Sequence, residues 1–189
     1  MRIVFIACLL CVYSIPVTAQ EEWTRKYTPK EHTESAVFAM LDSIKLAVER
    51  SVDAEAGNLS YQDIFTGRRD SLKSLRDKVV MVNVWSIDCP PCIRELPILQ
   101  RVQSELGKKG FELLAISLDD TAKQRRFLAG RKLRLGGITA MTRDEDCSYP
   151  FTMYFNPSAY IIDRRGILRQ FWIAPRTYEE LISMITQYL

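Results

Sequence analysis

The first periodic segment of the chain covers residues 33–50, where apolar side chains recur every three or four positions with charged residues between them. This spacing places the apolar side chains on one face and predicts an amphipathic helix. Gly57 and Asn58 are expected to end it. Residues 59–74 contain shorter apolar pieces around a Thr-Gly pair, which predict a small hairpin or an irregular lead-in.

Two continuous apolar runs alternate with two helical patterns in the middle of the chain. Residues 79–85 and 111–118 are aliphatic and β-branched, as expected of strands that are covered on both faces, and Asn83 is the polar interruption of the first run. Residues 92–106 and 120–133 instead keep helical spacing. This middle region therefore predicts the order strand, helix, strand, helix.

The last third of the chain contains the clearest hairpin. Residues 159–163 and 167–173 predict two strands around an Arg-Arg-Gly turn, and residues 177–180 form a capping box that begins a final helix. Residues 137–142 predict a strand or an extended connection, whereas residues 144–155 have no clear pattern. The whole order predicts an α/β fold in which helices cover both faces of a central mixed sheet, with an extra amino-terminal helix.

Length and charge narrow the class of protein. The chain has 189 residues, nearly half of them apolar, which is enough for one well-packed domain and too few for a second full one. The net charge of +3 comes from 26 basic and 23 acidic residues, a balance that predicts no nucleic-acid partner. The basic positions around residues 125–132 are most simply read as a solvated helix face.

The amino terminus has the pattern of an export signal. A basic start is followed by an apolar run over residues 3–17, and Val17-Thr18-Ala19 has the small-residue spacing of a cleavage site. We therefore predict a signal peptide over residues 1–19, an extension with one helix over residues 20–56, and the main domain over residues 57–189. The protein is expected to be exported, into the periplasm of a Gram-negative bacterium; an uncleaved membrane anchor is the alternative.

Export changes the count of cysteines. Cys8 and Cys11 leave with the predicted signal, so the mature chain keeps Cys89, Cys92 and Cys147. An odd number this small does not make a disulfide scaffold, and the fold must depend on its apolar core. For Cys147, an inert buried thiol and a regulatory thiol that faces a partner are both kept open.

The pair Cys89-Pro90-Pro91-Cys92 lies where the first strand should give way to a helix. A cysteine at a helix amino terminus lies beside unpaired backbone N–H groups and the positive end of the helix dipole, which favour the reactive thiolate. Prolines fit the first turn, because its N–H groups have no helical partner to lose. Cys92 comes one helical turn below Cys89, where it can close a disulfide or resolve a mixed disulfide formed through Cys89.

Other uses of the two cysteines fit less well. A structural bridge across so short a loop contributes little stability. A zinc site would need two more ligands, for which the mature chain offers only Cys147 and His32, and copper binding is a minor alternative. A peroxidase would not need the adjacent second cysteine, although Ser86 lies three residues before Cys89. A redox-inert binding module would not need either cysteine.

The stretches VVMVNVWSIDCPPCIRELPIL and NPSAYIIDRRG together resemble the thioredoxin superfamily, and more narrowly its exported TlpA-like and ResA-like thiol:disulfide reductases. The resemblance runs from about residue 57 to the carboxyl terminus. It implies a thioredoxin-like fold, Cys89 as the nucleophile and Cys92 as the resolving thiol. It also implies that Pro157 has a cis peptide bond beside the dithiol, and that Pro97 kinks the helix.

The same resemblance suggests roles for the flanking residues. Glu95 matches a glutamate thought to assist proton transfer, although an exposed glutamate in the first turns of a helix is an equal alternative. Asn83 stands where thioredoxins keep a buried acid; an amide cannot act as a base, so more weight falls on Glu95. Trp85 ends the strand that leads to the dithiol and is expected to help tune it.

Two positions depart from the family pattern. Asp88 replaces the usual aromatic residue before the first cysteine, and Asn156 replaces the usual Val or Thr before the cis-proline. With Pro90, Pro91 and Pro157, Asn156 is expected to form the substrate-binding surface. The carboxylate of Asp88 should disfavour the Cys89 thiolate and make the pair more reducing.

The expected function is therefore dithiol/disulfide exchange that reduces client proteins outside the cytoplasm, without metal or organic cofactor. By the resemblance, electrons would come from a membrane or periplasmic thiol donor and pass to disulfide-containing clients such as apocytochromes. A thiol oxidase or isomerase is the alternative within the enzyme class, since the reduction potential decides the direction. Outside that class, a thioredoxin-like binding or metal-carrying module remains open.

Overall fold

A computed structural model describes residues 34–142, 147, 150–153 and 155–189. The predicted signal peptide and His32 lie outside these residues. The elements are α1 (Glu34–Glu49), β1 (Ser60–Asp63), β2 (Arg69–Ser71), β3 (Val79–Val84), α2 (Pro90–Leu106), β4 (Phe111–Ser117), α3 (Thr121–Gly130), β5 (Ile138–Met141), β6 (Ser158–Ile162), β7 (Leu168–Ile173) and α4 (Tyr178–Thr186). Two short 3-10 helices, Leu72–Leu75 and Gly107–Lys109, precede β3 and β4.

The strands form one mixed sheet in the order β2-β1-β5-β4-β3-β6-β7. Strand β4 is parallel to both β3 and β5, and the remaining neighbours are antiparallel. All six residues of β3 are buried, because β4 and β6 pair with its two edges and side chains cover both of its faces. The predicted hairpins over residues 59–74 and 159–173 are confirmed as β1–β2 and β6–β7.

Successive side chains of the strands point to opposite faces of the sheet and pack in two separate apolar cores, one on each face. Met81 of β3 packs with α2, α3 and α4 on one face, whereas Val82 packs on the other face with the end of α1 and irregular segments. Three helices thus share one face, which the sequence did not indicate. The reason is topological: β3, β4 and β5 succeed one another in one direction, so two right-handed crossovers put α2 and α3 on the same side.

Helix α3 ends earlier than predicted. The pattern extended it to residue 133, but the helix stops at Gly130 and Lys132 adopts a left-handed conformation with φ of 55°. The Leu133 N–H then bonds the Leu128 carbonyl at 3.0 Å, which closes the end of the helix. Because the residue in this turn is a lysine and not the usual glycine, the sequence did not mark the stop.

The segment just before the predicted domain boundary joins the edge of the sheet. The Asp53 N–H donates to the Leu168 carbonyl at 2.7 Å, and the Leu168 N–H donates to the Ala54 carbonyl at 2.9 Å. These bonds cover part of the outer edge of β7, which would otherwise offer unpaired backbone groups. No helix within residues 34–142, 147, 150–153 and 155–189 is both long and apolar enough to cross a membrane.

The core that supports α2 can be tested by truncation. Leu99 is 1% exposed on the helical face, so we expect Leu99→Ala to lower the free energy of unfolding by about 2–5 kcal/mol through lost burial and a residual cavity. The matched control is Phe38→Ala, since Phe38 is 59% exposed on α1 and its loss should change stability by less than about 0.5 kcal/mol. Urea unfolding of both variants measures the difference; equal effects would contradict this packing.

Candidate active site

Cys89 and Cys92 form a disulfide at the amino terminus of α2, with their Cα atoms 5.3 Å apart. Cys89 is the N-cap residue, and Pro90 and Pro91 fill the first turn. The Cys92 backbone N–H points at the Cys89 sulfur at 3.2 Å. Strand β3 ends five residues earlier and so delivers the pair directly to the positive end of the helix.

The two cysteines differ in their exposure to solvent. Cys92 is 1% exposed and belongs to the core beneath α2, whereas Cys89 is only partly buried. An incoming disulfide can therefore reach the Cys89 sulfur more readily than that of Cys92. The N–H group of Cys92 would also stabilise negative charge on the Cys89 sulfur once the bond is reduced.

Glu95 is buried in the third position after Cys92, with 2% of its surface exposed. Of the two alternatives for this residue, the exposed glutamate is wrong. Its Oε1 atom accepts the backbone N–H of Arg176 at 3.0 Å, and its Oε2 atom accepts the side-chain amide of Asn83 at 3.4 Å. Burial raises the pKa of Glu95, and the bonds from Arg176 and Asn83 and the positive charge of Arg176 oppose that rise.

Asn83 lies on β3 with its side chain on the same face as Glu95. Its Nδ2 atom donates to Glu95, but its buried Oδ1 atom has no hydrogen-bond partner among the residues that the structure describes. Because an amide cannot exchange protons in this role, Asn83 can only hydrogen-bond to Glu95, and the proton-accepting role of Glu95 stays a prediction. A protonated Glu95 could donate to that free oxygen after the amide rotates.

Arg176 was missed in the sequence. It follows β7 in a connection where Ala174 has a φ of 88°, and its guanidinium forms an ion pair with Glu180 at 3.4 Å. Glu180 also completes the capping box of α4 with Thr177. The capping box was visible as a local motif, but the bond from Arg176 to Glu95 joins residues 81 positions apart and has no sequence signature.

The peptide bond between Asn156 and Pro157 is cis, as predicted. Pro157 is buried and its carbonyl accepts the Ala174 N–H at 3.0 Å, so the proline loop and the Arg176 connection are joined. Asn156 is exposed and borders a cavity of about 200 Å³. Its other lining residues are Val84, Trp85, Ser86, Ser117, Leu118, Asp119 and Met153.

Trp85 and Asp88 are the first and last residues of the loop between β3 and Cys89. Trp85 is buried, its indole Nε1 atom has no partner in the described part of the chain, and its ring lies 6.0 Å from that of Phe127. Asp88 is exposed, and its backbone N–H donates to the Ser86 hydroxyl at 3.2 Å. The loop is also fixed by the Ile87 N–H, which donates to the Asp119 carboxylate at 2.9 Å.

Cys147 lies on the opposite face of the sheet. It is buried in the second core, pairs with Leu59 in an isolated bridge, and lies 3.7 Å from the Thr142 hydroxyl. The sheet therefore separates its sulfur from Cys89 and Cys92. Across residues 34–142, 147, 150–153 and 155–189, no group of three or more His, Cys, Asp or Glu side chains is arranged to hold a metal ion.

Comparison with known proteins agrees with this geometry. The model of the AhpC/TSA family matches residues 52–171, more than half of the chain, and this span contains the dithiol, Glu95 and Pro157. The chain belongs to the AhpC/TSA family. Among its relatives, the thiol-disulfide oxidoreductase ResA of Bacillus anthracis is 26% identical over 131 residues, which are 69% of this chain and 74% of the relative.

Solved structures share the fold of this AhpC/TSA family member. A thiol:disulfide interchange protein of the thioredoxin family from Chlorobium tepidum TLS superposes with a TM-score of 0.61 at 21% identity, covering 71% of this chain and 94% of that one. A peroxiredoxin-like protein from Aquifex aeolicus gives a TM-score of 0.60 at 18% identity, covering 73% and 87%. The predicted thioredoxin-like fold is confirmed, and the chain is an enzyme of the thiol:disulfide oxidoreductase class.

The burial of Glu95 predicts how stability depends on pH. Its folded pKa is raised, so the unfolded chain loses this proton first as the pH rises, and stability falls between the ordinary pKa and the raised one. Each unit of difference corresponds to about 1.4 kcal/mol. We expect Glu95→Gln, which does not ionise, to gain stability relative to the oxidised wild type across that window.

Urea unfolding at intervals between about pH 4 and pH 8 measures this effect. The control is Glu179→Gln, because Glu179 is an exposed glutamate on α4. Parallel pH curves for the wild type and Glu95→Gln would contradict the assignment.

Proposed function

We propose that this protein is an exported thiol:disulfide reductase that uses Cys89 and Cys92 to reduce disulfides in client proteins outside the cytoplasm. The observation that carries the proposal is the disulfide at the start of α2, in which Cys89 is partly exposed whereas Cys92 and, one turn further, Glu95 are buried. In this reading residues 1–19 are the export signal, residues 20–56 an extension, and residues 57–189 the catalytic domain.

The first step is attack by the Cys89 thiolate on a client disulfide. A bond forms between the Cys89 sulfur and one client sulfur, the client S–S bond breaks, and the second client sulfur leaves as a thiolate that takes a proton from solvent. The Cys92 N–H and the dipole of α2 stabilise the attacking thiolate. The exposed Pro90 and Asn156, with Pro91 and Pro157 beneath them, form the surface against which the client lies.

The second step resolves the mixed disulfide. Cys92 gives up its proton and attacks the Cys89 sulfur, so the protein disulfide forms and the remaining client thiolate leaves. Because Cys92 is shielded from water, the proton needs a nearby acceptor, and the Glu95 carboxylate one turn along α2 is suited to that task. Over both steps two electrons and two protons pass from the dithiol to the client.

The proposed direction rests on Asp88, which is exposed next to Cys89. A carboxylate next to Cys89 disfavours its thiolate and stabilises the oxidised protein relative to the reduced one. An oxidase or isomerase would need the opposite tuning. On the scale of known dithiol proteins, about −270 mV is typical of a reductant and about −120 mV of a strong oxidant.

Capture of clients tests the function directly. We expect Cys92→Ser to stop after the first step, because the mixed disulfide at Cys89 then has no resolving thiol, and to accumulate client proteins linked through Cys89 in the native cell. Mass spectrometry of reducible adducts identifies them. Cys147→Ser is the matched control, since Cys147 lies on the other face of the sheet. Absence of any Cys89 adduct would favour a redox-inert binding module.

Removing the charge of Asp88 tests the tuning. We expect Asp88→Ala to shift the alkylation profile of Cys89 to lower pH and to make the pair several-fold easier to reduce, because the thiolate loses a neighbouring negative charge. Redox titration against glutathione and iodoacetamide labelling at several pH values measure the two effects. Asp120→Ala provides a control for a change of charge further from the dithiol. Unchanged potential and labelling in Asp88→Ala would refute the role of Asp88.

A further inference from the structure

One strongly charged surface near the dithiol has no role in the chemistry above. It consists of six exposed cations on α3 and the segment after it, here called the cationic face: Lys123, Arg125, Arg126, Arg131, Lys132 and Arg134. Residues 121–142 contain no Asp or Glu to balance them. None of the six forms an ion pair with another described residue. A face of one sign raises the local concentration of opposite charge.

The cationic face lies beside the active site and not on a remote part of the molecule. Arg131 stacks on Phe127 with its guanidinium carbon 4.2 Å from the ring centroid, and Phe127 in turn contacts Trp85, four residues before Cys89. The Arg134 N–H donates to the Gln100 side chain at 3.3 Å, so the segment after α3 is held against α2. The same two helices therefore carry the dithiol and the cations on one face of the sheet.

The space between the dithiol loop and α3 is open and partly apolar. The cavity bordered by Asn156 reaches Leu118 and Asp119, the last residues before the cap of α3, and Leu118 is 47% exposed. Its volume of about 200 Å³ exceeds several-fold the roughly 30 Å³ occupied by one water molecule. A client chain that crosses from Cys89 towards α3 could therefore bury a side chain there.

We propose that the cationic face is a docking surface for acidic segments of disulfide-containing client polypeptides. This inference rests on the proposed reductase function and names its substrate class. Asp88 is exposed directly before Cys89, so acidic residues directly beside the client cysteine would be repelled. Helix α3 is about 15 Å long, and an extended client chain advances about 3.3 Å per residue. We therefore expect the acidic residues of the client about three to six positions from its cysteine.

The experiment uses the reduced full chain and synthetic peptides with one internal disulfide, in which two electrons and two protons pass from the protein dithiol to the peptide. Three peptides differ only in having Glu, Gln or Lys about three to six positions from the cysteines. We expect the second-order rate constant for the Glu peptide to exceed that for the Lys peptide at least about tenfold at low salt, and the difference to shrink near 0.5 M salt, where charges are screened beyond about 4 Å.

Two variants of equal charge change locate the effect. Arg125→Glu with Arg126→Glu should abolish the preference for the Glu peptide, whereas Lys108→Glu with Lys109→Glu, at the other end of α2, should retain most of it. A small neutral disulfide, bis(2-hydroxyethyl) disulfide, should react at the same rate with the wild type and with both double variants. Thermal unfolding verifies that each variant is folded.

Each outcome has a distinct meaning. Equal rates for the three peptides, or equal losses in the two double variants, would overturn the docking proposal while the neutral disulfide still reports the reductase. Binding to phosphatidylglycerol vesicles that depends on Arg125 and Arg126, without any peptide preference, would also overturn it and indicate a membrane-facing role. No reaction with the neutral disulfide would refute the proposed function itself. Docking alone would then be tested by whether the Glu peptide protects Cys89 from alkylation by iodoacetamide.

Discussion

The central constraint in this molecule is the burial of β3 on both faces and both edges. A strand without any exposed side chain must have β4 and β6 as neighbours and a layer of side chains above and below. Its carboxyl end therefore lies in the middle of the sheet, and the chain continues from there through a short loop into α2. The first turn of α2 therefore begins above the core, which leaves Cys89 partly exposed and Cys92 buried.

The same burial creates an electrostatic problem that the fold solves with distant parts of the chain. Glu95 lies one turn below Cys92 in the apolar core, where an ionised carboxylate is strongly disfavoured unless it is hydrogen-bonded. Asn83 supplies one bond from β3, and the Arg176 backbone supplies the other from the connection between β7 and α4. Burial raises the pKa of Glu95 and these bonds oppose the rise, so its carboxyl group keeps a proton to higher pH than an exposed glutamate does, which suits proton transfer.

Local patterns made much of this architecture predictable from the sequence. The apolar run before Cys89, the hairpin around Gly166 and the capping box at Thr177 each depend on residues close together in the chain, and the structure contains all three. The resemblance to thioredoxins added the cis bond at Pro157. What the sequence could not supply were contacts across large separations: the bond from Arg176 to Glu95, and the placement of three helices on one face, which depends on strand order.

That placement divides the molecule chemically as well as geometrically. The dithiol, Glu95 and the cationic face all lie on the side of α2 and α3, whereas Cys147 is enclosed in the core on the opposite side. A thiol that could compete with Cys92 for a mixed disulfide is thereby kept away by the thickness of the sheet. In the proposed docking, α3 binds the client but contributes no group to the exchange of electrons or protons. Substitutions on α3 can then change which clients bind without changing the chemistry at Cys89.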